Sequence, residues 1–391
     1  MTKNQPVGKI LIWCPLYPPN TGGLQNHAQE FNIHMAEQGW EILTLTPLIT
    51  PNTPEEESPK TNIKIIRFPA FEIIPNYPLP KIWKPKFWKA LHTAHKFSKS
   101  KNTKTIIISR TRFFITSLFA LVHNKLTHTP WVHIEHGSDF VHLGKITSLI
   151  ARIYDYTIGR TVFKNATHLI ANSHASAKFI KKISNKKATV IYRGIEEEEI
   201  SSITPENSLK ETCKNKTIIT YAGRLVTGKG VRHLLDAVEP LEKNSYQLLI
   251  IGNGPEKKNL KEQVKKLNIT SNVTFLGDLP WQQVIAILKI SHIMANPSYN
   301  EGIPTNVIEA MLSSTAVIAT NVGGTTELVT NNTTGLLIPP KDTHALKIAL
   351  RTLSENPKLR HNYTTNALKQ IEGKFSWSNA TKQYTNILKS L

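Results

Sequence analysis

Two carboxylates eight positions apart, Glu301 and Glu309, mark the stretch of the chain best suited to chemistry. Pro304 is favoured in the first turn of a helix, and the apolar residues after it predict a helix with Glu301 just before its start and Glu309 within it. The unpaired amides and the dipole at such a helix N-terminus favour a bound anion such as phosphate. An anion site flanked by two carboxylates fits a bound sugar nucleotide.

The segments around this pair place it at the edge of a sheet. An apolar run precedes Asn296 to Tyr299, and a second run, Ala316 to Thr320, follows the helix, so both runs are predicted to be strands. The order strand, loop, helix, strand is typical of a parallel α/β sheet, and open sheets of this class bind ligands at their carboxyl edge. Two glutamates near a helix are otherwise most often part of a solvated face, so the interpretation depends on this context.

Two cations form a second candidate group. Arg224 and Lys229 lie in GRLVTGKG, between a predicted strand, Thr217 to Ala222, and a helix that begins near Val231. Cations on a glycine-bearing turn suit a departing nucleoside diphosphate, because negative charge builds on its oxygens as the glycosidic bond breaks. Without that context the segment is an ordinary basic loop.

Near the start of the chain, Gly22 and Gly23 separate a predicted strand, Lys9 to Pro15, from a predicted helix, Leu24 to Gln38. Their missing side chains allow backbone amides to approach a phosphate or a transferred sugar. Most double glycines are only turns, so the position between the first strand and the first helix supports this interpretation.

These motifs resemble those of a known family. The signature of glycosyltransferase family 4 is similar to three consecutive segments of this chain: NPSYNEGIPTNVIEAM, VIATNVGGTTELV and TGLLIPP. Members of that family are retaining enzymes with the GT-B fold. Supporting motifs follow in the expected order over nearly the whole chain: YPPNTGGLQNHA, HIEHGSDF, YAGRLVTGKG and IIGNGPE. The resemblance implies two Rossmann-like α/β domains with parallel sheets that face each other across a cleft. We predict an acceptor domain over residues 1–200, a nucleotide-sugar domain over 201–374 and a helix over 375–391 that returns to the first domain.

The resemblance assigns roles in a donor site. It implies that Glu309 hydrogen-bonds the ribose hydroxyls and that Glu301 contacts hydroxyls of the transferred sugar. Arg224 and Lys229 are expected to neutralise the diphosphate. The predicted donor-binding residues are Gly22, Gly23, Arg224, Lys229, Gly302, Ile303, Pro304, Thr305 and Glu309.

The resemblance also implies that His136 contacts the donor sugar or the acceptor near the anomeric centre, and it makes Asp139 a candidate acceptor contact. The predicted catalytic residues are His136, Glu301, Arg224 and Lys229. Family behaviour implies retention by front-face attack, in which the leaving phosphate accepts the acceptor's proton. Because the cations and a helix N-terminus stabilise the leaving group, and the sequence has no Asp-x-Asp pair or His/Cys cluster, we expect neither a metal nor a cofactor.

The sequence departs from the family pattern at a few positions. Arg193 in VIYRGI replaces the usual Asn, which leaves the contact made there open. Ser314 and Ala316 stand where Gly and Pro are common, which changes turn rigidity more than chemistry. The glycine spacing of IIGNGPE is not that of a dinucleotide fingerprint, so NAD is not predicted.

The chain is strongly basic, and its basic excess lies mainly in the first half. It has 391 residues, enough for two domains, and a net charge of +20. Residues 1–190 contain 25 Lys and Arg against 10 Asp and Glu, whereas residues 191–391 contain 23 against 18. The excess indicates an anionic partner such as membrane headgroups, a phosphorylated lipid acceptor or nucleic acid, or it serves solubility alone.

Other features bear on the cellular location. Two cysteines, Cys14 and Cys213, exclude a disulfide framework and favour a reducing compartment. Pro15 breaks the first apolar run, so a signal peptide is not predicted, and the longest apolar run, Phe113 to Val122, is too short to span a membrane. We expect a cytoplasmic protein that is peripheral on the inner face of the cytoplasmic membrane.

One segment suits a lipid surface. Residues 71–101 mix aromatic side chains with lysines: Trp83, Phe87, Trp88, Lys81, Lys84, Lys86 and Lys89. Such a mixture is typical of an amphipathic interfacial segment, but a core-packed helix with a solvated lysine face has the same composition.

The sequence thus favours a retaining hexosyltransferase that uses a UDP- or GDP-linked sugar. Its expected acceptor is lipid-linked or membrane-associated, in glycolipid or cell-surface polysaccharide synthesis. The alternatives are a GT-B sugar-nucleotide epimerase, a transferase with a soluble acceptor such as glycogen, a catalytically dead scaffold and a basic nucleic-acid-binding protein. No docking motif for nucleic acid is present, so we expect no nucleic-acid partner.

Overall fold

A computed structural model of the chain describes residues 6–20, 22–74, 77–99, 103–140 and 145–391. The chain divides into two compact units, of which the first comprises Met1–Gly194 with Trp377–Leu391 and the second comprises Ile195–Ser376. Each unit is built on a mainly or wholly parallel sheet.

The first unit begins with alternating strands and helices. Its strands are β1 (Gly8–Trp13), β2 (Trp40–Leu48), β3 (Glu56–Lys60), β4 (Ile63–Ile74), β5 (Tyr77–Pro80), β6 (Thr105–Arg110), β7 (Trp131–Glu135), β8 (His168–Ala171) and β9 (Thr189–Val190). Its helices are α1 (Gly23–Glu37), α2 (Pro85–Ser98), α3 (Thr116–Thr127), α4 (Lys145–Tyr154), α5 (Arg160–Asn165) and α6 (His174–Ser184). A π-helical segment, Asp155–Gly159, joins α4 to α5.

The sheet of the first unit has the order β3-β4-β2-β1-β6-β7-β8-β9, and β5 pairs with β4. Only β3 and β5 run antiparallel to their neighbour β4 among the described strands. The chain moves outward from β1 through β2 to β4 and then returns to place β6 on the other side of β1. The carboxyl ends of β1 and β6 therefore flank a topological switch point, where open α/β sheets bind ligands.

The second unit repeats this plan. Its strands are β10 (Thr217–Ala222), β11 (Tyr246–Ile251), β12 (Val273–Gly277), β13 (Ile293–Asn296), β14 (Ala316–Thr320) and β15 (Leu336–Ile338). Its helices are α7 (Glu197–Ser202), α8 (Asn207–Thr212), α9 (Val231–Val238), α10 (Lys257–Lys266), α11 (Trp281–Leu288), α12 (Thr305–Leu312), α13 (Thr325–Leu328), α14 (Thr343–Glu355) and α15 (Pro357–Ile371). The sheet order is β12-β11-β10-β13-β14-β15 with parallel pairs, so β10 and β13 flank its switch point.

The last helix, α16 (Trp377–Ser390), belongs to the first unit. It buries one face against the sheet, with Trp377, Tyr384 and Leu388 in the same core cluster as residues of α1. The rings of Tyr384 and Phe31 meet edge to face with their centroids 5.0 Å apart. A helix far from α1 in sequence thus shares its core.

The central strands of the first unit are covered on both faces. Ile10 and Ile12 of β1 pack in one core cluster with α1 and α16, while Leu11 and Trp13 pack in another with α2 and α3. Full burial of each such side chain contributes about 1.5–3 kcal/mol. Because both faces of these strands are buried, their sequences are continuous apolar runs and do not alternate between apolar and polar residues.

Some local predictions need correction. Helix α12 begins at Thr305, so Pro304 is its N-cap residue and does not lie in the first turn. Two polar segments whose composition is typical of a linker or a loop also form regular structure. The acidic residues 197–199 begin α7, and the Pro- and Glu-rich segment after β2 contains β3. Within the described part of the chain, no helix combines the length and apolar composition needed to cross a bilayer.

Candidate functional site

The switch point of the second unit brings together the loops that follow β10 and β13. Gly230 has a φ of +68°, and a Cβ there would collide with the carbonyl oxygen of Pro297. The amide of Tyr299 donates to the Gly228 carbonyl oxygen at 2.8 Å. The two loops are therefore in direct contact, and glycine at position 230 permits that approach.

Lys229 and Glu301 meet across these loops. Lys229 Nζ lies 2.6 Å from Glu301 Oε1, and the two side chains are 25% and 9% exposed. A nearly buried carboxylate is costly unless it is paired, and this short charge-assisted bond supplies the partner. Two residues predicted from separate motifs thus form one ion pair at the carboxyl edge of the sheet.

Arg224 lies in the same loop after β10 as Lys229. The Tyr221 hydroxyl donates to the Arg224 carbonyl oxygen at 2.9 Å. Burial raises the pKa of the Tyr221 phenol, the Glu301 carboxylate raises it further and Arg224 opposes the rise. Both charges therefore act on one buried phenol at the end of β10. No spacing pattern in the sequence identifies Tyr221.

Glu309 is held by a different partner. Its Oε1 accepts a hydrogen bond of 3.0 Å from Trp281 Nε1, at the start of α11. At the other end of α12, Asn306 Nδ2 donates to the Ala222 carbonyl oxygen at 2.8 Å, which fixes the helix start against the end of β10. Sequence reasoning missed Trp281 and Asn306, because each partner lies far away along the chain.

Glycines let other loops pack against this edge. A Cβ on Gly324 would collide with the carbonyl oxygen of Gly302, and one on Gly252 would collide with that of Gly223. The Gly324 amide also donates to the Glu301 carbonyl oxygen at 3.3 Å. The loop after β11 thus contacts the loop after β10, and the loop after β14 contacts the loop after β13, where glycine permits the close approach.

In the first unit, the predicted glycine pair opens α1. Gly22 is the N-cap with a φ of +150°, and Gly23 is the first helical residue. Arg193 Nη1 donates to the Gly23 carbonyl oxygen at 3.0 Å, and its Nη2 donates to Glu30 Oε2 at 2.9 Å. The residue that departs from the family pattern therefore links the glycine pair to the second turn of α1.

His136 follows β7 and lies beside α1. Its ring meets the His27 ring edge to face, with centroids 5.2 Å apart. Both ring nitrogens of His136 are buried and, within the described part of the chain, have no hydrogen-bond partner. Burial, together with the nearby Arg110 charge, lowers the pKa of His136 to about 3. The imidazole is therefore neutral at pH 7 and offers one donor and one acceptor.

A buried ion network holds the loop that carries His136. Glu135 accepts from the amides of His136 and Gly137 at 3.0 and 2.7 Å and pairs with Arg112 Nη1 at 3.1 Å. Arg112 also pairs with Asp155 at 2.8 Å, at the start of the π-helical segment. Burial alone would raise the pKa of Glu135, but Arg112 and His133 outweigh it and hold that pKa well below its usual range.

Asp139 lies outside this buried network. Its side chain is exposed, and its Oδ1 accepts from the Phe140 amide at 2.8 Å. Its carbonyl oxygen accepts from Arg112 Nη2 at 3.2 Å. Sequence reasoning missed Arg112 and Asp155, because a lone Arg and a lone Asp 43 positions apart give no local signal.

The aromatic and lysine-rich segment has a mixed environment. Phe87 is 2% exposed and packs in the core, while Trp83 and Trp88 are 64% and 60% exposed. Lys86 forms an ion pair of 2.6 Å with Glu55. The core-packed interpretation thus holds for Phe87, whereas contact of the exposed tryptophans with a lipid surface stays a prediction. Among the described residues, no group of three or more His, Cys, Asp and Glu side chains could hold a metal ion.

Comparison with known proteins follows the same division of the chain. A model described as Glycosyltransferase Family 4 matches residues 21–199, and one described as Glycosyl transferases group 1 matches residues 205–370. An uncharacterized glycosyltransferase of Methanocaldococcus jannaschii is 34% identical over 98% of each chain.

Solved structures agree with this result on the fold. Sucrose-phosphate synthase from Thermosynechococcus elongatus has a TM-score of 0.83 at 21% identity and covers 99% of each chain. HepE of Anabaena, solved in complex with UDP-glucose, has a TM-score of 0.75 at 19% identity and covers 98% of this chain and 100% of its own. The prediction of a GT-B fold with two parallel-sheet α/β domains is confirmed.

Proposed function

The chain belongs to the group 1 glycosyltransferases of family 4, and on that premise we propose that it moves a hexosyl unit from a UDP- or GDP-linked sugar to an acceptor with retention of the anomeric configuration. The observation that carries this proposal is the Lys229–Glu301 pair at the switch point of the second unit, where the loop after β10 also carries Arg224. It combines cations for a diphosphate with a carboxylate for sugar hydroxyls at the sheet edge where such folds bind ligands.

The proposed donor complex uses the residues around this pair. A bound diphosphate attracts Lys229 and Arg224, because its negative charge exceeds that of the single Glu301 carboxylate. Glu301 then accepts hydrogen bonds from hydroxyls of the transferred sugar. Glu309, whose carboxylate is oriented by Trp281, accepts from the ribose hydroxyls. These roles extend the family resemblance to this chain and stay predictions.

The proposed transfer needs no separate base. The bond between the anomeric carbon and the diphosphate oxygen breaks, the acceptor oxygen bonds to the same face of that carbon, and the acceptor's proton passes to the departing phosphate. Lys229 and Arg224 stabilise the charge that develops on the leaving group. We therefore propose transfer without a metal or another cofactor. His136, which is neutral, contributes a hydrogen bond near the anomeric centre and no charge.

The proposed acceptor is lipid-linked or membrane-associated, and it binds the first unit near His136 and Asp139. The basic excess of residues 1–190 supports an anionic acceptor environment. We place the enzyme in the cytoplasm, peripheral on the membrane, with a role in glycolipid or cell-surface polysaccharide synthesis.

A thermal-melting screen tests the proposal. UDP or GDP should raise the melting temperature in a concentration-dependent way, because a ligand that binds only the folded state stabilises it. A duplex DNA oligonucleotide should not. Incubation with UDP- and GDP-sugars should then yield the free nucleoside diphosphate slowly by hydrolysis. Interconversion of one nucleotide sugar into its epimer would instead identify an epimerase and contradict the proposal.

A further inference from the structure

Helix α4 exposes an apolar surface that no described residue covers. Leu149, Ile150 and Ile153 are 60%, 60% and 57% exposed, and Tyr156, in the π-helical segment that follows, is 47% exposed. Their spacing places them on one side of the helix, whereas Ala151 points inward and is 3% exposed. We call these four exposed residues the α4 face. Clustered exposed apolar side chains are typical of an interaction surface.

Aromatic contacts connect helix α4 to the β4–β5 hairpin. The ring of Tyr154 in α4 lies 5.3 Å from that of Phe113, which in turn lies 5.4 Å from the ring of Tyr77 in β5. The hairpin and the turn after it expose more large apolar side chains, with Ile73 at 73% and Trp83 at 64%. The exposed apolar residues of both elements therefore belong to one connected part of the first unit.

The charge of this part of the chain is almost entirely positive. Residues 73–195 contain 21 Lys and Arg but only 3 Asp and Glu. Two of the three acids, Glu135 and Asp155, are buried against Arg112, which leaves Asp139 as the exposed carboxylate among the described residues of this stretch. Exposed cations such as Arg152 lie among the apolar residues instead. An occupant of this surface must accept apolar side chains and carry negative charge.

We propose that the α4 face, together with Ile73 of β4 and Trp83 after β5, docks on the surface of an anionic lipid bilayer. Apolar side chains enter the boundary between headgroups and acyl chains, and the surrounding cations pair with lipid phosphates. The proposed lipid-linked acceptor would then reach the first unit from that bilayer. This last step rests on the proposed function, while docking itself does not depend on catalysis.

Vesicle co-sedimentation tests the inference. The full chain should partition onto vesicles of phosphatidylcholine with phosphatidylglycerol and far less onto phosphatidylcholine alone. The double variant Leu149→Ser/Ile153→Ser should partition at least tenfold more weakly, because two apolar side chains no longer enter the lipid. The matched control is Ile348→Ser, which changes an apolar residue that is 52% exposed on α14 in the other unit and should bind vesicles like the parent.

Nucleotide-induced stabilisation separates this inference from the proposed function. UDP or GDP should raise the melting temperature of the parent and of both variants equally, since the changed residues lie outside the second unit's candidate site. Parent protein that ignores anionic vesicles, or a double variant that binds them as tightly as the parent, would overturn the inference whatever the nucleotides do. So would light scattering that shows a dimer of the parent and a monomer of the double variant, because a second copy would then occupy the α4 face.

Discussion

Lys229 serves the fold as well as the proposed donor site, because it neutralises a carboxylate that is only 9% exposed. In Lys229→Ala, Glu301 would lose its cation, and we expect the free energy of unfolding to fall by about 1–3 kcal/mol. Adding Glu301→Gln should restore most of that stability, because the uncompensated charge is removed. Urea denaturation of the single and double variants measures both changes. A double variant no more stable than Lys229→Ala would show that the pair does not account for the loss.

His136 should make stability depend on pH. Its pKa is about 3 in the folded protein against an ordinary value of 6.5. Above pH 6.5 the imidazole is neutral in both states. Below it, the unfolded chain binds a proton that the folded protein does not, so stability falls by about 1.4 kcal/mol per pH unit for this group.

The variant His136→Gln isolates this contribution. Between pH 6.5 and 5 the slope of unfolding free energy against pH should become shallower by about 1.4 kcal/mol per pH unit. Buried His27, whose pKa is also lowered, keeps its own contribution in both proteins. The Glu135 carboxylate loses its contribution mainly below its ordinary pKa of 4.5, and that loss is common to both proteins. Urea midpoints at four pH values measure the slope, and equal slopes in parent and variant would refute the assignment.

Among the elements, the loop after β10 offers a test of close loop packing with a built-in control. Gly230→Ala places a Cβ against the Pro297 carbonyl oxygen at a positive φ, so we expect a loss of about 2 kcal/mol or more and weaker nucleotide binding. Gly228→Ala, two residues earlier, meets no atom within 4 Å and should change stability by less than about 0.5 kcal/mol. Equal stability of the two variants, measured by thermal melting, would contradict the packing described for these loops.

Elements with a buried face were predictable from the sequence, and polar ones were not. β10 has the predicted bounds and α9 begins at Val231, because the apolar pattern of each reports its burial. β3 escaped prediction because its sequence EESPK has no apolar face and its pairing with β4 uses only the backbone. Helix α7 was not predicted because its first turn is acidic. Acidic residues at a helix N-terminus interact favourably with the helix dipole, but an acidic run is also typical of a linker.

On the scale of the whole molecule, the family motifs connected segments that lie far apart along the chain. They named Lys229 and Glu301, 72 positions apart, and the structure joins them. The buried polar contacts behind such motifs were not predictable. Arg110 lies 2.6 Å from His27 across 83 positions, and neither residue stands in a periodic pattern that reports the contact. Such pairs form because the packed fold brings the two side chains together, and the residues next to each partner in the sequence do not indicate the contact.

Charge is also divided unevenly along the molecule. The excess of Lys and Arg in residues 73–195 falls in the stretch that also holds the exposed apolar residues of α4, while the second unit carries the proposed donor site. The two proposals therefore place recognition of a lipid surface and binding of a nucleotide in different units. Variants that weaken vesicle binding should leave nucleotide binding unchanged, and variants that weaken nucleotide binding should leave vesicle binding unchanged. The two measurements can therefore be interpreted separately.

Calorimetric titration of UDP and GDP into the parent protein and Arg224→Ala tests the central claim most directly. Removal of the Arg224 guanidinium takes one cation from the proposed diphosphate site without leaving Glu301 unpaired, because Lys229 still contacts it. We predict that the parent binds at least one of the two nucleotides and that Arg224→Ala binds it at least tenfold more weakly, with an unchanged melting temperature in the absence of ligand. Parent protein that binds neither nucleotide, or a variant that binds as tightly as the parent, would contradict a donor site at the switch point of the second unit.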